Sequence, residues 1–406
     1  MRTLTEVQLT PAQQDAIDAI MKEGLASVFP AAVLLIHQRG MTLFQRSYGW
    51  LDPVQKRWPT QEDTLFDLAS LTKLFTTTAF LTLVSAGRVS LDTPVAEVVP
   101  EFRSVHPIQP GIDPHAKTLL PPDPNYQGKR VDAGRVRFRH LLTHTSGLAA
   151  WEDLCGREGK EAAIFPHRLP PEARQRRLDA FLRAPRFVYP PGERILYSDL
   201  GFILLGEAIE RLTGQRLPEY LAHAVCEPLG LAQTFFNPLA RGTPRERMAP
   251  TEFCAWRGRR LWGEVHDENA ACLGGVAGHA GLFATARDVA ALGRCYLDDG
   301  GGILAPALAA EAVSEQVRDE TQRRGLGWQL MSPQGSPVGG NFGPSSFGHT
   351  GFTGVSMWID PHRELIVALL TNRVYHGRDG EAISRFRVRL HEAIASIVDD
   401  HSETMP

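Results

Sequence analysis

Leu65-Phe66-Asp67-Leu68-Ala69-Ser70-Leu71-Thr72-Lys73-Leu74-Phe75 is the stretch that decides the fold, because it sets an S-x-x-K tetrad, Ser70 to Lys73, at the head of an apolar run. Residues three apart share a helix face, so the Lys73 ammonium is placed beside the Ser70 hydroxyl. A serine hydroxyl is a weak nucleophile at neutral pH, and a neighbouring amine either takes its proton or holds the field in which another base does so. Leu74 to Ala86 is dense in apolar side chains and is followed by Gly87, the pattern of a buried helix closed by a glycine. Ser70 then falls at the start of a core helix, where free backbone N–H groups and the positive dipole end stabilise an oxyanion. Taken alone, the tetrad is built from common residues and also reads as an ordinary helix N-terminus.

Outward from the tetrad, the pattern is one of strands at both ends and helices between. Thr10-Pro11 offers a cap, and Ile17, Ile20, Met21, Leu25 and Phe29 follow at helical spacing. Ala31 to His37 and Met41 to Tyr48 are β-rich runs separated by Gln38-Arg39-Gly40, a hairpin. From about Ser104 to Val136 six prolines make the chain irregular, which reads as a surface loop or insertion. Helical patterns cover Arg139 to Leu142, Pro171 to Leu182, Asp199 to Leu212, Pro218 to Val225 and Thr285 to Leu297, with Thr285 and Asp288 spaced as a capping box. Leu326 to Met331, Ser346 to His349, Val355 to Ile359 and Leu365 to Leu370 read as strands, and Glu381 to Val398 as a closing amphipathic helix. The expected organisation is an α/β lobe from residues 1–90 and 320–406, interrupted by a mostly helical lobe, 91–319, that carries the Pro-rich insertion at 104–136. A cleft between lobes is a common small-molecule site.

Composition narrows the function. At 406 residues the chain exceeds one usual hydrophobic core. Charged residues make up 22%, the net charge is -3 and there is no block of like charge, which argues against nucleic acid or an anionic membrane as partner. The partner expected is a small-molecule or peptide substrate, with the oligomeric state left open. No apolar run reaches the roughly 18 residues of a membrane span. Cys155, Cys226, Cys254, Cys272 and Cys295 are scattered and odd in number, so no disulfide framework or zinc knuckle is expected. Met1-Arg2-Thr3-Leu4 leads into a polar segment rather than a secretory core, and a cytoplasmic location is expected.

Three further segments bear on Ser70. Tyr197-Ser198-Asp199 opens a helix, and a phenol reaching the cleft can shuttle a proton between serine and leaving group; read alone, Tyr197 is a capping aromatic and Asp199 an N-cap. His349-Thr350-Gly351 ends a strand before Phe352-Thr353-Gly354, where glycines admit a substrate backbone; read alone, it is a turn. The third is Arg139-His140-Leu141-Leu142-Thr143-His144-Thr145-Ser146-Gly147-Leu148, a helix running into a polar turn.

In this order, the segments resemble the serine β-lactamase and penicillin-binding protein superfamily, and within it the class C-like branch of carboxypeptidases, esterases and β-lactamase-related hydrolases. The resemblance spans about Ala31 to Leu390. It implies a two-lobe β-lactamase/transpeptidase-like fold: an antiparallel sheet flanked by the terminal helices, beside a mostly helical lobe. It also implies Ser70 as nucleophile, Lys73 and Tyr197 as the base system, His349 to Gly351 as the strand motif, and the backbone N–H groups of Ser70 and Phe352 as oxyanion-hole donors. His144 is then structural. The implied reaction is two-step acyl transfer, which needs no cofactor.

Two departures from the family pattern bear on substrate. His349 stands where penicillin-recognising members usually have Lys, so the pocket loses a fixed cation. Arg373, after the final strand, is a candidate replacement for holding a carboxylate, with a plain surface arginine as the equal reading. Asp199 stands where Asn is frequent, and a carboxylate near Lys73 favours the ammonium. Glu264 to Asn269 and Gly274 to Gly281 form a glycine-dense loop outside the motifs; His266, Asp267, Glu268 and His279 offer metal or amine ligands, but their spacing matches no zinc motif and a pocket-lining loop is the leading reading. The function expected is a serine hydrolase of small esters, amides or peptides. The alternatives are a penicillin-binding sensor that acylates with little turnover, and a metal-dependent hydrolase using residues 264–281.

Overall fold

Ala31–Gln38 is buried along its whole length, which is what a strand in the middle of a covered sheet requires. It pairs antiparallel with Leu365–Thr371 on one side and Met41–Asp52 on the other, so that Leu34 faces both Leu369 and Arg46. In this computed structural model, which describes residues 9–156, 159–160, 163–332 and 334–403, the sheet has nine strands. From one edge they run Val317–Arg318, Arg323–Arg324, Gln329–Leu330, Phe347–Thr350, Ser356–Asp360, Leu365–Thr371, Ala31–Gln38, Met41–Asp52 and Arg57–Pro59. The Met1 to Leu4 reading lies outside the described residues.

Side chains alternate across a strand, and the two faces of Ala31–Gln38 feed different cores. Ala32, Leu34 and Ile36 pack with Ile17 and Met21 of the Pro11–Ser27 helix and with Leu390 and Ile394 of the Glu381–Glu403 helix. Val33 and Leu35 belong to the larger core, shared with Leu74, Phe75, Phe202 and Leu292. Helix Ala286–Leu297, which falls in the segment grouped with the helical lobe, lies on this sheet face: a Cβ added at Gly293 would meet Met357 at 2.9 Å and Ile359 at 3.1 Å. Its capping box is half made. The Thr285 hydroxyl accepts from the Asp288 N–H, but the Asp288 carboxylate turns to Gln233 and Thr234 instead.

The helix carrying Lys73, Thr72–Ser85, is buried nearly all round, and Thr76, Thr77 and Thr78 are inside with the apolar residues. It packs against Asp199–Thr213 in the second layer. The Ser104 to Val136 region is anchored by a short ladder, Val105–Pro107 with Arg130–Asp132, and residues 109–123 between them contain no buried side chain.

Two expectations are corrected. The run Leu326 to Met331 is a strand only at Gln329–Leu330, because Gly327 turns back at φ +77 and brings the chain against Thr77. The scattered cysteines include a pair, Cys155–Cys272, with Cα atoms 5.4 Å apart across 117 residues of sequence. Tertiary folding alone brings them together, so spacing could not reveal them. Among the described residues, no helix is long and apolar enough to cross a membrane.

Candidate active site

Asp67 organises the turn that presents Ser70. Its Oδ1 accepts the Ala69 N–H at 2.9 Å, its Oδ2 accepts the His266 N–H at 2.6 Å, and its carbonyl accepts the Thr353 hydroxyl at 2.7 Å. Three distant segments are thereby tied behind the serine. Ala69 is held at φ +45, a conformation an L-residue adopts only where the surroundings impose it. Ser70 lies in the single 3-10 turn Ala69–Leu71, two residues ahead of the helix that begins at Thr72.

Lys73 is fully buried, and its ammonium has three partners: Ser70 Oγ at 3.1 Å, Asp199 Oδ1 at 2.8 Å and the His279 carbonyl at 3.3 Å. Burial alone disfavours the ammonium, but the adjoining Asp199 carboxylate outweighs it and Lys73 is raised above its ordinary value. Lys73 is therefore charged at rest. Of the four residues offered as metal ligands only Asp267 and His279 meet here, joined by Asp199, with one ligand atom from each lying within 4.8 Å of the others. The cation at that point is Lys73 itself. His279 Nε2 bonds Asp267 at 2.7 Å, and burial, which raises a carboxyl, is overcome by that imidazole, so Asp267 lies well below the usual carboxylate range. His266 pairs with Glu252, and Glu268 with Lys117 and Arg378. The glycines of the loop serve backbone packing: Gly278 lies against Phe202 and Gly206 of the Asp199–Thr213 helix, which sets the His279 carbonyl on Lys73.

Tyr197 is placed by His144, which bears out the structural reading of that histidine. His144 Nδ1 accepts the Ser198 N–H at 3.1 Å, its carbonyl accepts the Leu196 N–H at 2.8 Å, and its ring lies 4.5 Å from that of Tyr197. Burial drives His144 well below its ordinary value, consistent with a neutral structural ring. Lys73 Nζ is 4.7 Å from the Tyr197 ring centre. On the opposite side, His349 Nδ1 lies 2.7 Å from the Thr350 carbonyl; a carbonyl only accepts, so Nδ1 carries the proton and Nε2 is a bare acceptor. Burial first, then Arg324 and Lys73, push His349 down to about 3, so position 349 bears no charge at neutral pH. Among the described residues, neither the buried His349 Nε2 nor the buried Tyr197 hydroxyl has a hydrogen-bond partner, and the two rings are 5.8 Å apart. Orphaned polar atoms at one place are groups a substrate or water satisfies.

Gly351 is required by close approach: a Cβ there would meet the Leu68 carbonyl at 2.6 Å, so the strand motif rests directly on the serine turn. Thr350 and Phe352 line the space above it. The Phe352 ring takes His115 from the insertion at 5.8 Å, His266 at 5.5 Å and the Arg373 guanidinium at 4.5 Å. Arg373 is buried rather than on the surface and donates to the Asp379 carbonyl at 2.9 Å.

Two cavities meet at Ser70. One, of about 640 Å³, is walled by Ile112, Leu120, Trp151, Val188 and Ile195 and is largely apolar. The other, of about 570 Å³, is lined by Arg324, Arg373, Arg378 and Arg387 and, among the described residues, by no carboxylate. Ser70, His115, Tyr197 and Phe352 border both. Sequence reading missed Arg324 and Arg387, which belong to no motif. It also missed that residues 109–123 wall the apolar cavity, although the insertion itself was visible as a cluster of prolines.

The fold and this cleft define an acyl-transferring serine hydrolase. The chain belongs to the Beta-lactamase family, whose model matches residues 17–391. An Escherichia coli K12 protein provisionally named D-alanyl-D-alanine carboxypeptidase is 30% identical over 368 residues, covering 85% of this chain and 79% of its own. EstCE1, described as a hydrolase with promiscuous acyltransferase activity, superposes with TM-score 0.67 at 22% identity, covering 93% of this chain and 100% of its own. An octameric penicillin-binding protein homologue from Pyrococcus abyssi gives TM-score 0.67 at 22% identity, covering 95% of this chain and 77% of its own. The expected mixed fold, an antiparallel sheet with helices, and the acyl-enzyme class of hydrolase both hold.

Proposed function

We propose that Ser70 is the nucleophile of a hydrolase acting on small esters, amides or peptides that combine an apolar acyl group with a carboxylate. The observation that carries the reading is the contact of Lys73 with Ser70 at 3.1 Å, made by a fully buried ammonium that Asp199 also holds at the floor of the cleft. Ser70 Oγ bonds to the acyl carbon, the carbonyl π bond opens to an oxyanion, and the serine proton passes to the Tyr197 oxygen in its phenolate form, which the charged Lys73 beside it favours. The oxyanion is received by the N–H groups of Ser70 and Phe352. On collapse the proton goes to the leaving oxygen or nitrogen, and water then releases the acyl group from Ser70.

The apolar cavity suits the acyl part, and the arginine recess suits an anionic end, because guanidinium forks match carboxylates. Arg373 is one such group; Arg387 donates to the Val355 carbonyl at 2.8 Å and is pulled by burial down to about 9. With His349 uncharged, an ordinary penicillin is a poor fit, and D-alanyl peptides, recycled muropeptides or carboxylate-bearing esters are the better substrates. The test is a panel of p-nitrophenyl esters, nitrocefin and D-Ala-D-Ala peptides. Hydrolysis of esters or peptides with little nitrocefin turnover is expected, and a stable adduct on Ser70 without release favours the sensor reading instead.

A cytoplasmic location accompanies this proposal. Cytosolic reductants keep thiols reduced, so alkylation at lysis is expected to trap all five cysteines. Trapping only Cys226, Cys254 and Cys295 places the protein in an oxidising compartment.

A further inference from the structure

The charge missing at His349 has a counterpart two strands away. Arg324 pairs with Gln329, which precedes Leu330 in the strand lying against Phe347–Thr350. From that edge its guanidinium carbon comes to 5.5 Å from the ring centre of Tyr197, on the recess that also holds Ser70 and His349. The residue is 8% exposed. Its Nε and Nη2 donate to Gln322 Oε1 at 3.1 and 2.9 Å, and among the described residues no carboxylate pairs with it. Neighbouring Arg323, by contrast, has Glu315. A guanidinium buried without a counter-ion is costly, and sheets ordinarily exclude one or pair it. Its neighbours on the inner side are the phenol of Tyr197 and the neutral His349, with Asp319 acting on it only through its field.

We propose that Arg324 is the positioning cation of the acylation step, holding beside Tyr197 the positive charge that the strand motif has lost at His349. It acts through Tyr197, by favouring negative charge on the phenolic oxygen that takes the Ser70 proton. Lys73 flanks the same ring at 4.7 Å, so the phenol lies between two cations that reach it from different segments. This inference rests on the acyl-enzyme reading above and assigns a residue outside every motif of the chain. It also makes position 349 free to be an acceptor, since the cation no longer has to stand there.

The test uses an uncharged ester, p-nitrophenyl butyrate, so that loss of carboxylate binding cannot contribute. Arg324→Met is expected to lower kcat about thirtyfold or more with KM changed less than about twofold, the size of effect that proton-transfer support carries. Arg324→Lys, which keeps the charge, is expected to retain most of the activity. The double variant Arg324→Met/His349→Lys, which moves the cation to the strand motif, is expected to recover about tenfold over Arg324→Met. A purely structural arginine would not be rescued from position 349. Arg324→Gln makes the same comparison if Arg324→Met does not fold. Unchanged kcat in a neutralised variant, or a loss seen only as KM for carboxylate-bearing esters, overturns the proposal. So does a folded double variant with no recovery. Ser70→Ala run alongside separates the two claims: if it stays active the acyl-enzyme reading fails, and if it is inert while Arg324→Met is fully active only the role of Arg324 fails.

Discussion

Ser70→Ala is expected to lower ester hydrolysis at least about a thousandfold, with the thermal midpoint nearly unchanged. On the proposed mechanism, removing the hydroxyl deletes the step that forms the acyl-enzyme, and neither Lys73 nor Tyr197 can replace a covalent acceptor. What survives is the oxyanion pocket and substrate binding, which leave a residual rate above water. The fold is spared because Lys73 keeps Asp199 at 2.8 Å and the His279 carbonyl at 3.3 Å, so no buried charge is stranded. The p-nitrophenol burst and the mass adduct left by a phosphonate ester should vanish together. Activity that survives the substitution removes Ser70 from the mechanism.

Asp199→Asn is expected to act on both stability and pH response. The carboxylate is the largest influence raising Lys73 against the opposing effect of burial, with Tyr197 after it. With it neutralised, burial dominates and Lys73 falls below its ordinary value. In the wild type the raised folded value makes the pair's stabilisation complete below the unfolded lysine value, near about 10.4, and lost as pH climbs through the folded one. In the variant the sign reverses: the unfolded state binds more protons, so stability rises with pH through the neutral to alkaline range. At neutral pH the loss is about 3 kcal/mol, the low end for breaking a buried pair, since asparagine still accepts a hydrogen bond. Urea unfolding at pH 7 and pH 9 checks both size and sign. The acid limb of the rate profile should move to lower pH, because a neutral Lys73 becomes available as a base. An unmoved profile shows that Asp199 does not set the charge of Lys73.

How much of this was legible in the sequence depends on how local each relation is. Ser70 and Lys73 are one helical turn apart, so their contact follows from helix geometry once the apolar run after them is seen. The hairpin of Ala31–Gln38 with Met41–Asp52, and the strands from Phe347 to Thr371, announce themselves by alternation and β-rich composition. Tyr197 and His349 were visible only as short motifs in a family order, and each alone reads as a cap or a turn. Arg324 was invisible. It lies in a two-residue strand, and its approach to Tyr197 depends on the register of three neighbouring strands. Arg373 was ambiguous for the same reason: nothing in Thr371-Asn372-Arg373 says that the side chain folds inward over Phe352. The Cys155–Cys272 pair and the role of Gly278 likewise arise from contacts between segments far apart in sequence.

One wall of the apolar cavity comes from residues 109–123, none of which is buried in the core. Lys117 fastens that segment from outside, over the Trp151 ring at 3.6 Å and to Glu268 at 3.3 Å. On the proposed reading, substitutions at Ile112 and Leu120 change the shape offered to the acyl group and leave the Lys73 contacts with Ser70, Asp199 and the His279 carbonyl in place. Among the described residues, only His115 of this segment reaches across to Phe352. Selection, or a designer's library confined to Ile112 and Leu120, is then expected to retune what the enzyme accepts while the reaction itself is kept intact.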